Sequence, residues 1–204
     1  MPHIGRYNSL KIKSVLPNYC LLDGGHLGDI ALQEPWPNKA GDVIDAFIYL
    51  DSEGRLVAST KKQLAEVGTV AWLKVVSIND TGAFLDWGLP KDLLLPFSEQ
   101  RYELKEGSHC LVKIYIDNSN RIAATTRLDK HLLEQAKNYQ PGQQVSLVIA
   151  EKTELGFKAV VDHQYWGLLY DNEIYQPLKK GQHISGYIKR VRLDGKLDLA
   201  VQRA

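Results

Sequence analysis

The sequence has no long apolar run and few residues that crosslink chains or bind metals. No stretch of its 204 residues approaches the roughly 18 uncharged apolar residues of a membrane span, and the first twenty residues lack the pattern of a signal peptide. Its only two cysteines, Cys20 and Cys110, lie far apart without Cys-x-x-Cys spacing, which disfavours a disulfide framework and a zinc site. These absences predict a cytoplasmic protein without a membrane partner.

Charge of one sign is also lacking overall, since the formal net charge is +1 at pH 7. The balance hides an uneven distribution along the chain. Residues 1–63 contain 7 basic residues (Lys and Arg) and 7 acidic residues (Asp and Glu). The corresponding numbers are 7 and 9 in residues 64–129, and 11 and 8 in residues 130–204. An anionic partner should therefore prefer the C-terminal third, which carries a net charge of +3.

What the sequence does contain is an internal repeat. The segment IYLDSEGRLVAST at 48–60 is echoed by IYIDNSNRIAATT at 114–126, with six of thirteen positions identical. The offset of 66 residues carries Gly41 onto Gly107, and a shift of 74 carries Gly107 onto Gly181. A third, more diverged copy at 187–201 fits if one extra residue is allowed in its turn, which places Lys196 where the first two copies have arginine. Three copies of one unit therefore make up the chain.

Each copy is predicted to contain five short strands, because β-branched and apolar segments alternate with glycine-rich bends. Five such strands in about 65 residues favour a closed Greek-key barrel of the OB type. The predicted fold is mainly β, with three tandem five-stranded OB barrels over residues 1–63, 64–129 and 139–204. Residues 130–138 are predicted to form a short linker helix, because Asp129 can cap its first turn and Leu132, Leu133 and Ala136 share a face.

The middle copy resembles the RNA-binding domain of ribosomal protein S-one, on the segments VGTVAWLKVV, TGAFLDWG, LLLPFSE, VKIYID and RIAAT. The wider set DSEGRLVAST, GAFLDWGLPKDLLLPFSEQ and DGKLDLAVQ resembles the bacterial conserved virulence factor B family of tandem S-one-type proteins. This resemblance implies a non-enzymatic RNA-binding regulator. It also implies a winged-helix domain after the third barrel, which these 204 residues do not include.

The resemblance implies that Phe84 faces RNA, since the S-one pattern has an aromatic residue in the Gly-Ala-Phe turn. A ring exposed beside a groove can stack on any base. The pattern's histidine on the third strand is replaced here by Pro96, which can supply neither a ring nor a donor. The aligned pairs in the other copies are Lys158 and Tyr170 in the third and Leu21 and Gln33 in the first.

Basic residues and tyrosines are concentrated in the third copy, which is the composition of a surface that follows phosphates and stacks on bases. The alternative is a charged strand edge that opposes aggregation. The predicted contacts of this copy are Lys158, Tyr170, Lys189, Arg190, Arg192 and Lys196.

The middle copy is predicted to add Phe84 and Lys74, with Tyr115 and Arg121 as secondary contacts. Tyr49 and Tyr115 occupy equivalent positions and can either stack on bases or pack against a neighbouring barrel. Arg55 and Arg121 can equally pair with Asp51 and Asp117 across their own turns. The tryptophans are expected in core or inter-barrel contacts: Trp36, Trp72, Trp87 and Trp166.

No residue pattern specifies a reaction, a cofactor or a small-molecule substrate. The Gly24-Gly25-His26-Leu27-Gly28 segment lacks the dinucleotide spacing and the P-loop lysine, and the six histidines are scattered. Two hypotheses remain. The first is a sequence-tolerant protein that binds single-stranded RNA, and the second is a scaffold that docks to protein partners such as the transcription or translation machinery.

Overall fold

The computed structural model describes residues 1–34, 39–62 and 64–203, in which the chain forms three closed barrels of five strands each. Barrel 1 consists of β1 (Tyr7–Val15), β2 (Cys20–Asp23), β3 (Asp29–Leu32), β4 (Val43–Leu50) and β5 (Leu56–Ser59). Barrel 2 consists of β6 (Val70–Ile78), β7 (Gly82–Asp86), β8 (Leu93–Pro96), β9 (His109–Ile116) and β10 (Ile122–Thr125). Barrel 3 consists of β11 (Gln144–Lys152), β12 (Gly156–Val161), β13 (Tyr165–Tyr170), β14 (His183–Val191) and β15 (Leu197–Ala200). The predicted mainly β fold of three OB-type barrels is confirmed, while Trp36 and the predicted boundary residue Gln63 lie outside the described residues.

All three barrels have the same topology. In each, the first three strands form an antiparallel meander, the third strand pairs in parallel with the fifth, and the fourth strand closes the barrel against the first. Closure satisfies the backbone groups that an open sheet would leave at its edges. Single turns of 3-10 helix lie between strands at Gly25–Leu27, Phe97–Glu99, Leu128–Lys130 and Asp171–Glu173. No helix in the described part of the chain is long and apolar enough to cross a membrane.

Alternation of side chains along the strands explains which residues form the cores. On β9, Cys110, Val112 and Ile114 are fully buried inside barrel 2, whereas Lys113 and Tyr115 point outward. Leu111 also points outward, yet it is buried because barrel 3 covers it. The strand pattern thus predicts the inward face, and the neighbouring barrel decides the exposure of the outward one.

The first strand of every barrel contains a β-bulge, which sets the register of its pairing with the second strand. The register shifts between Ile12 and Ser14 in β1, between Val75 and Ser77 in β6, and between Ile149 and Glu151 in β11. Barrel 3 has a second bulge, between Ile188 and Arg190 in β14. The extra residue that the sequence comparison assigned to the third copy's turn is therefore Lys189, inside a strand, and the prediction of a longer turn is wrong.

The linker helix predicted for 130–138 does not form. After the single turn Leu128–Lys130, the backbone of this segment bonds to barrel 3 instead of to itself. Leu133 donates its N–H to the carbonyl of Gln164 and accepts from the N–H of Trp166, and Ala136 donates to the carbonyl of Gly195. Apolar periodicity over these few residues is satisfied equally well by extended chain, because short isolated helices are marginal without tertiary support.

Barrel 1 has its own core but contributes one buried ring to the apolar cluster of barrel 2. Phe47 belongs to β4 of barrel 1, but its ring is fully buried in the apolar cluster of barrel 2. The ring packs edge-on against Trp87 of barrel 2, with centroids 5.8 Å apart, and against Tyr7, with centroids 5.3 Å apart. The two repeats are therefore packed together as one body.

Barrels 2 and 3 meet through a separate apolar cluster and two polar contacts. Val70 and Leu111 of barrel 2 pack with Val148 and Val160 of barrel 3, and the segment from Leu128 to Leu132 completes the cluster. Val70 donates its N–H to Nδ1 of His163 at 3.0 Å, and Lys113 donates to the His163 carbonyl at 2.7 Å. Packed interfaces on both sides of barrel 2 place the three outer faces at defined positions.

Candidate functional site

The barrel register gives Leu21, Phe84 and Lys158 the same place on the three outer surfaces. Each lies on the second strand of its barrel, opposite the residue that follows the bulge, and each side chain points away from the core. The chemistry at this place differs completely between copies: an aliphatic chain, an aromatic ring and an amine. The three equivalent faces are therefore suited to different ligands.

The face of barrel 3 contains a cavity of about 210 Å³ with cationic walls. Lys158, Arg192 and Lys196 line it together with Trp166, Gly167 and Leu168. The carboxylates among its lining residues are Glu134 and Asp198. This geometry brings together three of the six contacts predicted for the third copy.

Asp198 orders the arginines of this face. Its side chain is 7% exposed, and its two oxygens contact different arginines. Oδ1 accepts from Nε of Arg192 at 3.0 Å and lies 2.9 Å from Nη2 of the same guanidinium, and Oδ2 forms an ion pair with Nη2 of Arg190 at 3.2 Å. The neighbouring Tyr170 hydroxyl accepts from Arg192 as well, so this network contains three of the predicted contacts, Arg190, Arg192 and Tyr170. Bonding to Asp198 raises the pKa of Arg192 further above its ordinary value.

Lys158 is held on a tryptophan. Its Nζ lies 4.0 Å from the centroid of the Trp166 ring and 3.7 Å from Oδ1 of Asp129, which also accepts from Trp166 Nε1 at 3.0 Å. The ring and the carboxylate fix the amine at the mouth of the cavity. Lys189, the bulged residue, forms an ion pair with Glu173 instead.

The predicted cations of barrel 3 are therefore mostly paired with carboxylates, which the sequence did not predict. Among the described residues, the ion pairs include Lys158, Lys189, Arg190 and Arg192 but not Lys196. The pairs of Lys158 with Asp129 and of Lys189 with Glu173 are partly exposed, and such pairs contribute little to stability. The signal that was missed is Asp198, which stands where the first two copies have Val57 and Ala123.

The face of barrel 2 contains an apolar cavity of about 160 Å³. Phe84 is half-buried in its wall, because its neighbours Ala83 and Leu85 point inward and are fully buried. Trp87 of the same barrel and Tyr49 of barrel 1 also line the cavity, and Arg121 lies at its rim. This pocket brings Phe84 and Arg121 together, and barrel 1 supplies one of its aromatic walls.

The other predicted contacts of barrel 2, Tyr115 and Lys74, lie outside this cavity, and Arg121 is paired locally. Arg121 bonds through Nε to Asp117 at 3.2 Å, the local pairing that the sequence offered as an alternative. Tyr115 packs against His131 with ring centroids 5.4 Å apart, and burial raises the pKa of its hydroxyl. Lys74 is exposed on β6 opposite Asp86, away from the residues that line the Phe84 cavity.

The equivalent face of barrel 1 is covered by barrel 2. The loop between β7 and β8 lies across it: Lys91 donates to the carbonyl of Asp51 at 3.2 Å, and Lys61 donates to the carbonyl of Gly88 at 2.6 Å. The remaining groove of about 770 Å³ is acidic on balance, with Glu34, Asp51 and Asp86 against two cations, Arg55 and Lys61. Of the three faces, that of barrel 3 carries the cationic cavity.

Other chemistry is sparse in the described part of the chain. No group of three or more His, Cys, Asp or Glu side chains there could hold a metal ion. Both cysteines are buried and unpaired, and burial raises the pKa of the Cys110 thiol to about 11, which disfavours its reactive thiolate form. Sequence reasoning did not single out His163, although it lies between barrels 2 and 3.

Comparison with known proteins agrees with this architecture. A model of the S1 domain matches residues 4–61 and 67–127. The uncharacterized protein YitL of Bacillus subtilis (strain 168) is 22% identical over 170 residues, which cover 78% of this chain and 56% of YitL, so the chain spans about half the length of this relative. A multidomain protein with nucleic acid binding domains from Streptococcus pneumoniae TIGR4 shares the fold at a TM-score of 0.54 and 20% identity, over 98% of this chain and 74% of that one. Since the domain model matches more than half of its residues, the chain belongs to the S1 domain family.

Proposed function

We propose that this protein binds single-stranded RNA without catalysing a reaction, and that barrel 3 is its main contact surface. The observation that carries the proposal is the cavity in which Lys158, Arg192 and Lys196 converge beside Trp166. Cations on a barrel face follow a phosphate backbone, and the salt dependence of binding reports their number. Phe84, at the equivalent place on barrel 2, adds a ring on which a base can stack.

Several features favour a single strand and little base selectivity. Most of the lining of the cavity beside Phe84 is apolar, and its three rings, Tyr49, Phe84 and Trp87, offer surfaces on which any base can stack. A base must leave a duplex to enter such a cavity, so paired RNA is a poorer ligand. The Streptococcus pneumoniae protein that shares the fold is described as having nucleic acid binding domains, which supports the same class of ligand here.

The biological setting belongs to the same proposal. We infer a cytoplasmic regulator of gene expression that acts after transcription or during translation. The motifs that resemble the conserved virulence factor B family support this role.

Fluorescence polarisation with a short unstructured RNA and a DNA of the same sequence, each over a salt series, tests the proposal. RNA of roughly 16 nucleotides is long enough to fill one OB fold. We expect the affinity for RNA to fall linearly with salt on a double logarithmic plot, and a preference for RNA over DNA if the 2′-hydroxyl is contacted. Absence of salt-sensitive RNA binding would contradict the proposal.

A second candidate, a scaffold for a protein partner, is favoured by the acidic groove of barrel 1. Glu34, Asp51 and Asp86 repel phosphate but suit a basic protein surface. Both activities fit one chain, because the acidic groove and the cationic cavity are on different barrels. A pull-down with translation or transcription components, with and without nuclease, separates a direct protein contact from one bridged by RNA.

A further inference from the structure

Three equivalent surface positions change together in barrel 3. The register places one on the fourth strand, one at the start of the following turn and one on the fifth strand. They are occupied by Tyr49, Asp51 and Val57 in barrel 1, by Tyr115, Asp117 and Ala123 in barrel 2, and by Arg190, Arg192 and Asp198 in barrel 3. The formal charge of the set is −1 in the first two barrels and +1 in the third. In barrel 3 the acidic residue has moved from the turn to the fifth strand, and arginines occupy the other two positions. This change in one copy points to a ligand that only this copy binds.

In barrel 3 these positions form what is hereafter called the arginine cluster: Arg190, Arg192 and Asp198. In this cluster, two guanidinium groups contact one carboxylate. Arg190 uses Nη2 for Asp198, and its side chain is 67% exposed, so its other N–H donors face solvent. Arg192 donates through Nε to Asp198 and through Nη2 to Tyr170, and its Nη2 also lies 2.9 Å from Oδ1 of Asp198. Asp198 therefore fixes both side chains before any ligand arrives, which reduces the entropy lost on binding.

The surroundings of the arginine cluster are cationic. Lys158 and Lys196 line the same cavity as Arg192, and Arg190 lies outside this lining against Oδ2 of Asp198. These four cations stand against three carboxylates, those of Asp198, Glu134 and the nearby Asp129. An excess of positive charge attracts a dianion more strongly than a monoanion, since the Coulomb energy is proportional to the ligand charge. A terminal phosphate carries a charge of about −1.5 to −2 and three acceptor oxygens. A phosphate within a strand carries a single charge.

The shape of the cavity favours the same ligand. Residues of β13 and β15 line it, and two of them, Trp166 and Leu197, are buried. A phosphate within a strand continues into a sugar on both sides, whereas a terminal phosphate continues on one side only. A cavity of about 210 Å³ lined by buried residues accommodates the terminal group more easily.

We propose that the arginine cluster is a receptor for a terminal phosphate monoester of RNA. The proposal rests on the proposed function, because it requires that the protein binds RNA and adds that barrel 3 recognises a phosphorylated end of the strand. Its two sources are a 5′-phosphate and a 3′-phosphate, which present the same chemical group. The test below separates them.

The experiment measures the affinity of the protein for three RNA oligonucleotides of one sequence, by fluorescence polarisation with an internal dye. One oligonucleotide has no terminal phosphate, one has a 5′-phosphate and one has a 3′-phosphate. We expect the protein to bind at least one phosphorylated form about tenfold more tightly than the unphosphorylated one, the change that one charge-assisted hydrogen bond produces. Arg190→Gln should reduce this ratio to about one, whatever its effect on the affinity for the unphosphorylated RNA. Arg55→Gln in barrel 1 is the matched control, because its side chain is 66% exposed and also bonds to an aspartate.

The outcomes distinguish this inference from the proposed function. Equal, salt-sensitive binding of all three oligonucleotides overturns the terminal-phosphate receptor and leaves RNA binding intact. A preference that survives Arg190→Gln shows that another group recognises the phosphate and also overturns it. Failure of all three to bind contradicts RNA binding itself and the receptor with it.

Discussion

Truncation of Phe84 to alanine separates a ligand platform from a core residue. Complete removal of a buried phenylalanine costs about 3–5 kcal/mol, but Phe84 is only half-buried on the outer face of β7. We therefore expect the free energy of unfolding to fall by about 1–2 kcal/mol. The adjacent Leu85 points into the core of barrel 2 and is fully buried, so Leu85→Ala should cost about 2–5 kcal/mol. If the ring stacks on one base, the loss of about 1–3 kcal/mol weakens RNA binding roughly 5- to 150-fold.

Urea denaturation followed by circular dichroism gives the first quantity, and fluorescence polarisation over a salt series gives the second. Because the substitution removes no charge, the slope of log affinity against log salt should stay unchanged while the affinity falls. Leu85→Ala controls for indirect effects of destabilisation in the same strand. The reasoning fails if Phe84→Ala is destabilised as much as Leu85→Ala, or if it folds normally and binds RNA as tightly as the wild type.

Three other perturbations follow from the same contacts. Lys196→Glu replaces an exposed cation, so the free energy of unfolding should stay within about 0.5 kcal/mol of wild type. If Lys196 contacts a phosphate, the slope of log affinity against log salt should fall by about 0.7, and an unchanged slope would refute that contact. Arg192→Glu instead puts a second carboxylate beside the buried Asp198, so thermal or urea denaturation should show a loss of about 3 kcal/mol, and wild-type stability would contradict the ion pair. Burial, then His183 and Lys113, lowers the pKa of His163, whose Nδ1 must be unprotonated to accept the Val70 N–H. Stability from this group is therefore complete above about pH 6.5, the ordinary value, and is lost as the pH falls below it, so urea midpoints should drop between pH 7.5 and 5.5 in the wild type and less in His163→Gln.

The fold followed from the sequence because each barrel repeats local signals. Turn glycines such as Gly41, Gly107 and Gly181 have positive φ angles and recur at nearly constant spacing, and the strands between them alternate inward and outward residues. The linker helix was predicted wrongly because residues 130–138 satisfy their backbone through barrel 3, a long-range partner that local periodicity does not contain.

The candidate site was predictable in position but not in its interactions. The repeat alignment placed Phe84 and Lys158 on equivalent surfaces. It did not show that Asp198 binds two arginines, because that carboxylate lies six residues from Arg192 across a turn and a bulge shifts its register. The repeat alignment also did not show that Tyr49 of the first copy lines the cavity of the second. Contacts between copies depend on how the barrels pack, which no single copy encodes.

The insertion of Phe47 into the second barrel has a consequence for how this protein can evolve. Tandem repeats that arise by duplication start as interchangeable pieces, and genes can gain, lose or reorder them. Here the ring of one copy fills space in the core of the next, so loss of the first copy would leave a void against Trp87 and uncover the apolar surface around it. Deletion of the first copy alone should therefore destabilise the second. The core of the third copy contains no residue of the other two barrels, so Arg190 and Arg192 occupy its outer face without disturbing that core.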